Sequence, residues 1–311
     1  MLADPEERTV VSSLGWVDGG TIWVLDVATG RTRSLRVGDA KYLSLHAGRS
    51  GHFAAVHHYD ADRLVITAHS FSQPDEVLSR CIVSQDDRGI EGSPSPWQHL
   101  PRHYVAYLVQ PAWSEFALVT VDTSGAVTLQ TFEWYDDSYD KGYQGIVGVT
   151  EIPDSKLVLV SVQRSSKPIL YDPDARRKVG ELVLSESHGN PSLYFRRAQS
   201  ELWAEDYDTL LRVEPGSWRI LQSRKLQEAA AGPAQFIGQF TFNSDESICA
   251  VARPFSGDVI GLNPKNLRTK YRAKLGRQPL EVALLCDRRV FARDWKSGDL
   301  LQGSLRRVWA A

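Results

Sequence analysis

The stretch Ile146–Leu184, IVGVTEIPDSKLVLVSVQRSSKPILYDPDARRKVGELVL, reads as four short strands parted by turns. An apolar strand is followed by a polar turn, a second apolar strand, another turn, a short third strand closed by Asp-Pro, and a last strand rich in charge. Ile237–Leu275, IGQFTFNSDESICAVARPFSGDVIGLNPKNLRTKYRAKL, repeats that order with Asn-Pro in place of Asp-Pro, and Ser192–Leu226 is a third copy. The runs favour Val, Leu, Thr and aromatic residues, which suit a pleated, half-buried surface. TIWVLDV, HFAAVHHY, RLVITAHSF, EFALVTVD and AVTLQTFEW extend the pattern to the N-terminal half. Long helical periodicity is missing; QEAAAGPAQF comes nearest, and Gly232-Pro233 would stop it after about one turn.

Units of this kind recur every ~40–45 residues, a spacing that marks a repeat architecture. A four-stranded antiparallel sheet cannot bury both of its faces alone. Packed radially around an axis, each sheet is covered on both sides and only short edges remain. The sequence therefore predicts an all-β, seven-bladed β-propeller over a single domain, residues 1–311. Third-strand signatures fall at Trp23–Val27, Leu64–Ala68, Val127–Phe132, Pro168–Asp172, Leu210–Val213, Val259–Leu262 and Leu300–Ser304. Six blades stay open as an alternative, because the first and last units are incomplete. The C-terminal unit lacks an outer strand, and Thr9–Val17 is expected to supply it, closing the ring with N- and C-terminal strands.

TIWVLDVATGRTRSLRV resembles the strand–turn–strand of WD40-like and YVTN-type β-propellers, with Asp26, Thr29 and Gly30 in the turn. YDPDARRKVG and LNPKNLRTKY are degenerate copies. No unit ends in Trp-Asp, and Gly51-His52 stands out of register, so the His–Ser/Thr–Trp–Asp hydrogen-bond arrangement of WD40 blades is not expected. The resemblance implies the fold. Propellers host enzymes, binders and scaffolds alike.

Composition excludes several classes. The 311 residues carry a formal charge of −2, without the cationic field of a general nucleic-acid binder. No apolar run reaches the ~18 residues of a membrane span. The opening residues have neither a basic nor an apolar signal region, so a cytoplasmic location is expected. Cys81, Cys249 and Cys286 form no CxxC pair and read as reduced thiols rather than zinc ligands. Arginine exceeds lysine, the usage of a GC-rich bacterial genome. No metal and no cofactor is expected.

Loops joining the outer strand of one unit to the inner strand of the next share one face. The longest are Ser84–His103, Trp134–Tyr143, Ser185–Ser192 and Gln227–Gln235, and long loops often carry function. Aromatic side chains offer large contact area at small entropic cost. Trp97, His99, Trp134, Tyr135, Asp136, Asp137, Tyr139, Tyr143 and His188 are therefore candidates for docking a protein or peptide, with the carboxylates favouring Arg or Lys on the partner. The bland reading has Trp97 and Trp134 covering blade edges and the aspartates merely solvated. Asp136, Asp137 and Asp140 lack the spacing of an EF-hand loop. His57 and His58 point to opposite faces of a strand and cannot jointly hold a metal.

Leu100-Pro101-Arg102-His103 is similar to the Gly-Pro-Arg-His segment of 6-phosphogluconolactonase-type propellers. That resemblance implies an alternative, a lactone hydrolase in the central channel with Arg102 as anion binder and His103 as general base. Leu100 replaces the glycine, and Val121-Asp122 replaces that family's Asn-Glu. A small-ligand or glycan binder stacking on Trp97 or Trp134 is a third option. Nucleophile elbow, Walker A and Rossmann patterns are absent.

Overall fold

The computed structural model of the chain describes residues 1–13, 20–40, 42–47, 51–58, 63–84, 95–97, 105–112, 115–121, 127–133, 146–152, 155–162, 166–172, 175, 177–185, 192–196, 199–226 and 236–308. Among them there is no α-helix; the strands form six sheets. The first is β1 (Leu2–Ala3), β2 (Thr9–Ser13), β3 (Thr21–Asp26) and β4 (Thr32–Arg36), and the second β5 (Tyr42–Ala47), β6 (His52–His58), β7 (Arg63–Ser70) and β8 (Ser79–Ser84). The third holds eight strands in two runs. One is β9 (Ser95–Trp97), β10 (Val105–Ala112), β11 (Glu115–Val121) and β12 (Val127–Glu133); the other is β13 (Ile146–Glu151), β14 (Val158–Val162), β15 (Ile169–Asp172) and β16 (Arg177–Glu181). A single parallel pairing of Trp97 with Val149 joins the runs.

The fourth sheet is β17 (Ser192–Arg196), β18 (Glu201–Asp206), β19 (Thr209–Val213) and β20 (Ile220–Lys225). The fifth is β21 (Phe240–Phe242), β22 (Cys249–Arg253), β23 (Asp258–Leu262) and β24 (Thr269–Lys274). The sixth has only β25 (Pro279–Leu284), β26 (Arg289–Asp294) and β27 (Leu300–Ser304). The closing strand β28 (Arg306–Arg307) crosses over to pair with β24. Within each run the pairing is antiparallel between sequence neighbours, the pattern of an up-and-down meander.

Cores lie between sheets, as radial packing requires. Val11, Ile22 and Val24 of the first sheet pack on Leu43, Phe53 and Ala55 of the second. Leu159 and Leu170 pack on Leu202 and Leu211, Trp203 and Leu210 on Val251 and Leu262, and Ala250 and Val259 on Val282 and Val290. The last sheet meets the first through Ala283, Leu285 and Phe291 against Met1, Val10 and Leu25. Arg289 Nη1 donates to Val27 O at 2.7 Å across the same junction.

The Asp26 turn takes the form its residues imply. Asp26 Oδ1 accepts from Thr29 N at 2.7 Å and Thr29 Oγ1 at 2.9 Å, and Gly30 has φ 68°. These donors hold the Asp26 carboxyl below its ordinary pKa.

Three expectations are corrected. Thr9–Ser13, the described part of Thr9–Val17, pairs with β1 and β3 inside its own sheet and does not complete the last one. The short Asp4–Arg8 turn returns the chain directly against β1, so β2 is committed there. Val127–Phe132 is the fourth strand of its run, the third being Glu115–Val121. The stretch Ser84–His103 is not one loop, because Ser95–Trp97 is a strand within it.

His57 and His69 of the second sheet are core groups. His69 Nδ1 donates to Pro74 O at 2.9 Å, which leaves its neutral Nε2 to accept from Thr67 Oγ1 at 2.8 Å. Thr67 then accepts from His57 Nε2 at 2.9 Å. Burial holds the His69 pKa below its ordinary value.

Candidate functional site

In an antiparallel meander, the turn between the second and third strands lies at the same end as the connection entering the next sheet. Three consecutive sheets place an aromatic residue first or second in that turn. They are Tyr207 in Asp206–Thr209, Phe255 in Arg253–Asp258 and Trp295 in Asp294–Asp299. Phe236 joins them from the segment leading into β21. Its ring lies 6.5 Å from Tyr207, 5.1 Å from Phe255 and 5.2 Å from Trp295, the last two edge-on at 87° and 76°. Phe255 and Trp295 are 6.1 Å apart at 73°. Edge-to-face packing suits the ring quadrupoles. Tyr207, Phe255 and Trp295 are nevertheless 39%, 42% and 42% exposed.

Polar contacts fix the turns that carry these rings. Asp294 Oδ1 accepts from Ser297 N at 2.8 Å and Lys296 N at 3.0 Å, while Oδ2 accepts from Gln278 N at 2.8 Å. Those donors outweigh burial and lower the Asp294 pKa. Gly298 has φ 73° and Gly257 φ 67°, the left-handed geometry the tight turns need. Arg253 grips Asp258 through two bonds of 2.8 and 2.7 Å and also reaches Leu226 O at 3.2 Å. Trp295 N donates to Gln278 O at 2.8 Å, and Ile237 N to Tyr207 O at 2.8 Å, so each turn is tied to the connection beside it. Arg277 pairs with Asp299 at 3.7 Å on the rim.

Beneath the patch, alternation along β18 puts Glu205 on the same side as Trp203 and Asp206 on the other. Asp206 accepts from Ser166 Oγ at 2.8 Å and from Ser185 Oγ. Glu205 is buried, and desolvation pushes its carboxyl up to about 8 against the hydrogen bonds it accepts from Ser192 and from the Tyr207 backbone.

Of the residues singled out in sequence, Trp97 lies in β9, with its backbone opposite Ala106 and Val149. His99, Arg102, His103, Trp134, Tyr135, Asp136, Asp137, Tyr139, Asp140, Tyr143 and His188 lie outside the described residues. The four-ring patch was not among the sequence candidates. Its signal was an aromatic shortly before Ser-Gly-Asp, present as Phe255-Ser256-Gly257-Asp258 and as Trp295-Lys296-Ser297-Gly298-Asp299. Among the described residues, no group of three or more His, Cys, Asp or Glu side chains is placed to hold a metal ion.

No protein-family model and no curated protein sequence matches the chain. Solved structures do. The β-propeller domain of Myceliophteria thermophila Cps50 (Swd1) aligns with a TM-score of 0.73 at 11% identity, over 98% of this chain and 95% of that one. This chain is a β-propeller. Two further propellers are similar to it. The periplasmic gluconolactonase PpgL of Pseudomonas aeruginosa aligns with a TM-score of 0.64 at 17% identity, covering 97% and 99% of the two chains. A putative 6-phosphogluconolactonase of Bacteroides fragilis aligns at 0.63 and 12%, covering 94% and 93%. At such identities the likeness carries the propeller architecture and no site residue.

Proposed function

We propose that this propeller is a non-enzymatic interaction scaffold that docks a partner protein on the face bearing Tyr207, Phe236, Phe255 and Trp295. The carrying observation is an exposed cluster of interlocked rings spread over three consecutive sheets and held on hydrogen-bonded turns. Rigid aromatic anchors lose little entropy on binding, and Trp and Tyr are enriched among interface hot spots. The loop residues Trp134, Tyr135, Asp136, Asp137, Tyr139, Tyr143 and His188 would widen the same face and favour basic groups on the partner. We further propose a cytoplasmic location, on the sequence reading of the cysteines as reduced thiols.

The test is affinity capture from the native host, comparing wild type with the double variant Phe255→Ala/Trp295→Ala. The two rings are 42% exposed and pack on each other and on Phe236, so the double variant should lose no more than about 3 kcal/mol and stay folded. Loss of a specific captured protein by a variant that remains folded supports the reading. A large fall in melting would make the rings structural, and unchanged capture would move the docking site elsewhere.

A second reading, a lactone hydrolase using Arg102 and His103, has its support in the two gluconolactonase-named structures of like fold. Hydrolysis of gluconolactone by the purified protein, lost in His103→Ala, would favour it over the scaffold.

A further inference from the structure

The last sheet stops at three strands. Elsewhere the third strand is covered by a fourth: β23 is buried along its length, and β15 and β19 are buried at most positions. Strand β27 instead alternates exposed and half-buried residues, as the outermost strand β16 does, and leaves Leu300 37% exposed. The chain that could have continued the sheet leaves it. Leu305 is buried between the fifth and last sheets, and Arg306–Arg307 pairs with β24. Among the described residues nothing pairs with the outer edge of β27.

That edge also lacks the usual protection. Exposed edges are normally blunted by charge, proline or a bulge. The fourth strands β16, β20 and β24 each carry at least two cationic residues and a register shift beside them, and β4 carries Arg33 and Arg36. Strand β27, LLQGS, has no charge and no proline, and its pairing with β26 runs without a shift.

We propose that the outer edge of β27 is a docking slot for an extended, acidic segment of a partner protein, which pairs antiparallel with Leu300–Ser304 as the missing fourth strand. Strand addition supplies main-chain hydrogen bonds, while flanking side chains set specificity. The adjoining strand β24, with β28 paired on it, brings Lys270, Arg272, Lys274, Arg306 and Arg307 and no carboxylate. Arg272 is paired with Asp258, and Asp299, just before the slot, is paired with Arg277, so the lysines of β24 and the Arg306–Arg307 strand are the cationic groups offered to an incoming segment. The slot is independent of the aromatic face.

The register identifies a clean probe. Leu305 N donates inward to Arg288 O, so by alternation Leu301 and Gly303 also point inward, and the N–H groups of Leu300, Gln302 and Ser304 face out. Gln302→Pro therefore removes an outward donor and spares the ladder to β26. Labelled peptide EVTVEVE, its counterpart KVTVKVK, and EVTVEVE with alternate amides N-methylated are titrated by fluorescence anisotropy at low salt, with amide exchange read at Leu300, Gln302 and Ser304.

The acidic peptide should bind and slow exchange at those amides tenfold or more. The lysine peptide should bind at least about tenfold more weakly. N-methylation and Gln302→Pro should each abolish binding, while Gln302→Ala keeps it. If Gln302→Pro fails to fold, the N-methylated peptide decides alone. No binding by EVTVEVE, or binding that survives N-methylation, overturns the proposal. So does protection of these amides without peptide. Protection that grows with protein concentration assigns the edge to a second copy, and protection at every concentration assigns it to the chain itself.

Discussion

Two neighbouring junctions solve the same wedge problem with opposite materials. Between the fourth and fifth sheets the filler is large and polar-edged. Trp203 stands edge-on to Phe242 at 5.0 Å, Tyr194 stacks on Phe242 at 5.0 Å, and Arg196 lies over both Phe242 and Trp203. Arg196 pairs with Glu201 at 3.2 Å, and Glu201 also binds Arg212 and accepts from Trp203 Nε1 at 3.2 Å. Between the fifth and last sheets the filler is aliphatic and mostly small: Ala250, Ala252, Ala273 and Ala292 among Val259, Val282 and Val290, with Ile248, Leu284 and Leu305 its largest buried members. The first junction gains from ring area and cation–π contact, and it must keep every charge paired. The second gains from close approach and tolerates no added volume.

The largest effect is expected where a ring is removed. Trp203→Ala takes the central side chain from the aromatic junction and leaves Arg196 and Arg212 without the face they cover. A buried Trp→Ala change costs about 3–5 kcal/mol. Urea unfolding should show that loss; a cost under about 1 kcal/mol would mean that the ion-paired arginines, not the ring, hold these sheets together.

The small-residue junction should fail in the opposite direction, by addition. Gly238 N donates to Ala252 O at 2.8 Å, and Gln239 N to Leu280 O at 2.8 Å. A Cβ on Gly238 would fall on the Leu280 carbonyl oxygen and 3.1 Å from Ala252 Cβ. Gly238→Ala should therefore cost about 1–3 kcal/mol, although alanine suits an extended backbone better than glycine does. A neutral or stabilising result would show that the two sheets can move apart freely, which the packing argues against.

The contrast also explains what could be read from sequence. Strand order was legible because the strands are short runs of apolar or alternating residues parted by turns with Asp, Asn, Gly or Pro, as in Asp26-Thr29-Gly30. The run around Val127 was misplaced because its first strand, Ser95–Trp97, is three residues long and contains Pro96, too short to alternate visibly. The aromatic patch escaped because loop length is what a sequence displays, whereas Phe255 and Trp295 sit in tight turns whose shared end of the sheets shows only once the strands are paired. The missing outer strand was legible as a gap. What fills it was not, since β2 finds both partners within the first sheet.

The smallest of these effects concerns charge, and it should belong to the aromatic junction alone. Glu205 faces the side of Trp203, and its carboxyl is pushed up to about 8 from an ordinary 4.5. The folded state then holds a proton that the unfolded state has released, across the window from pH 4.5 to about 8. By linkage, this group's contribution is fully present below pH 4.5 and is lost progressively as pH rises through 8. Glu205→Gln keeps an acceptor for Tyr207 N–H and cannot ionise. It should match wild type near pH 4.5 and exceed it at pH 8 by at least the ~1.4 kcal/mol of one pKa unit. The measurement is the difference in unfolding free energy between variant and wild type from pH 4.5 to 9, which cancels groups common to both. A difference that stays flat would mean that Glu205 is ionised in the fold and fully satisfied by Ser192, and the charge distinction between the two junctions would then rest on the arginine network alone.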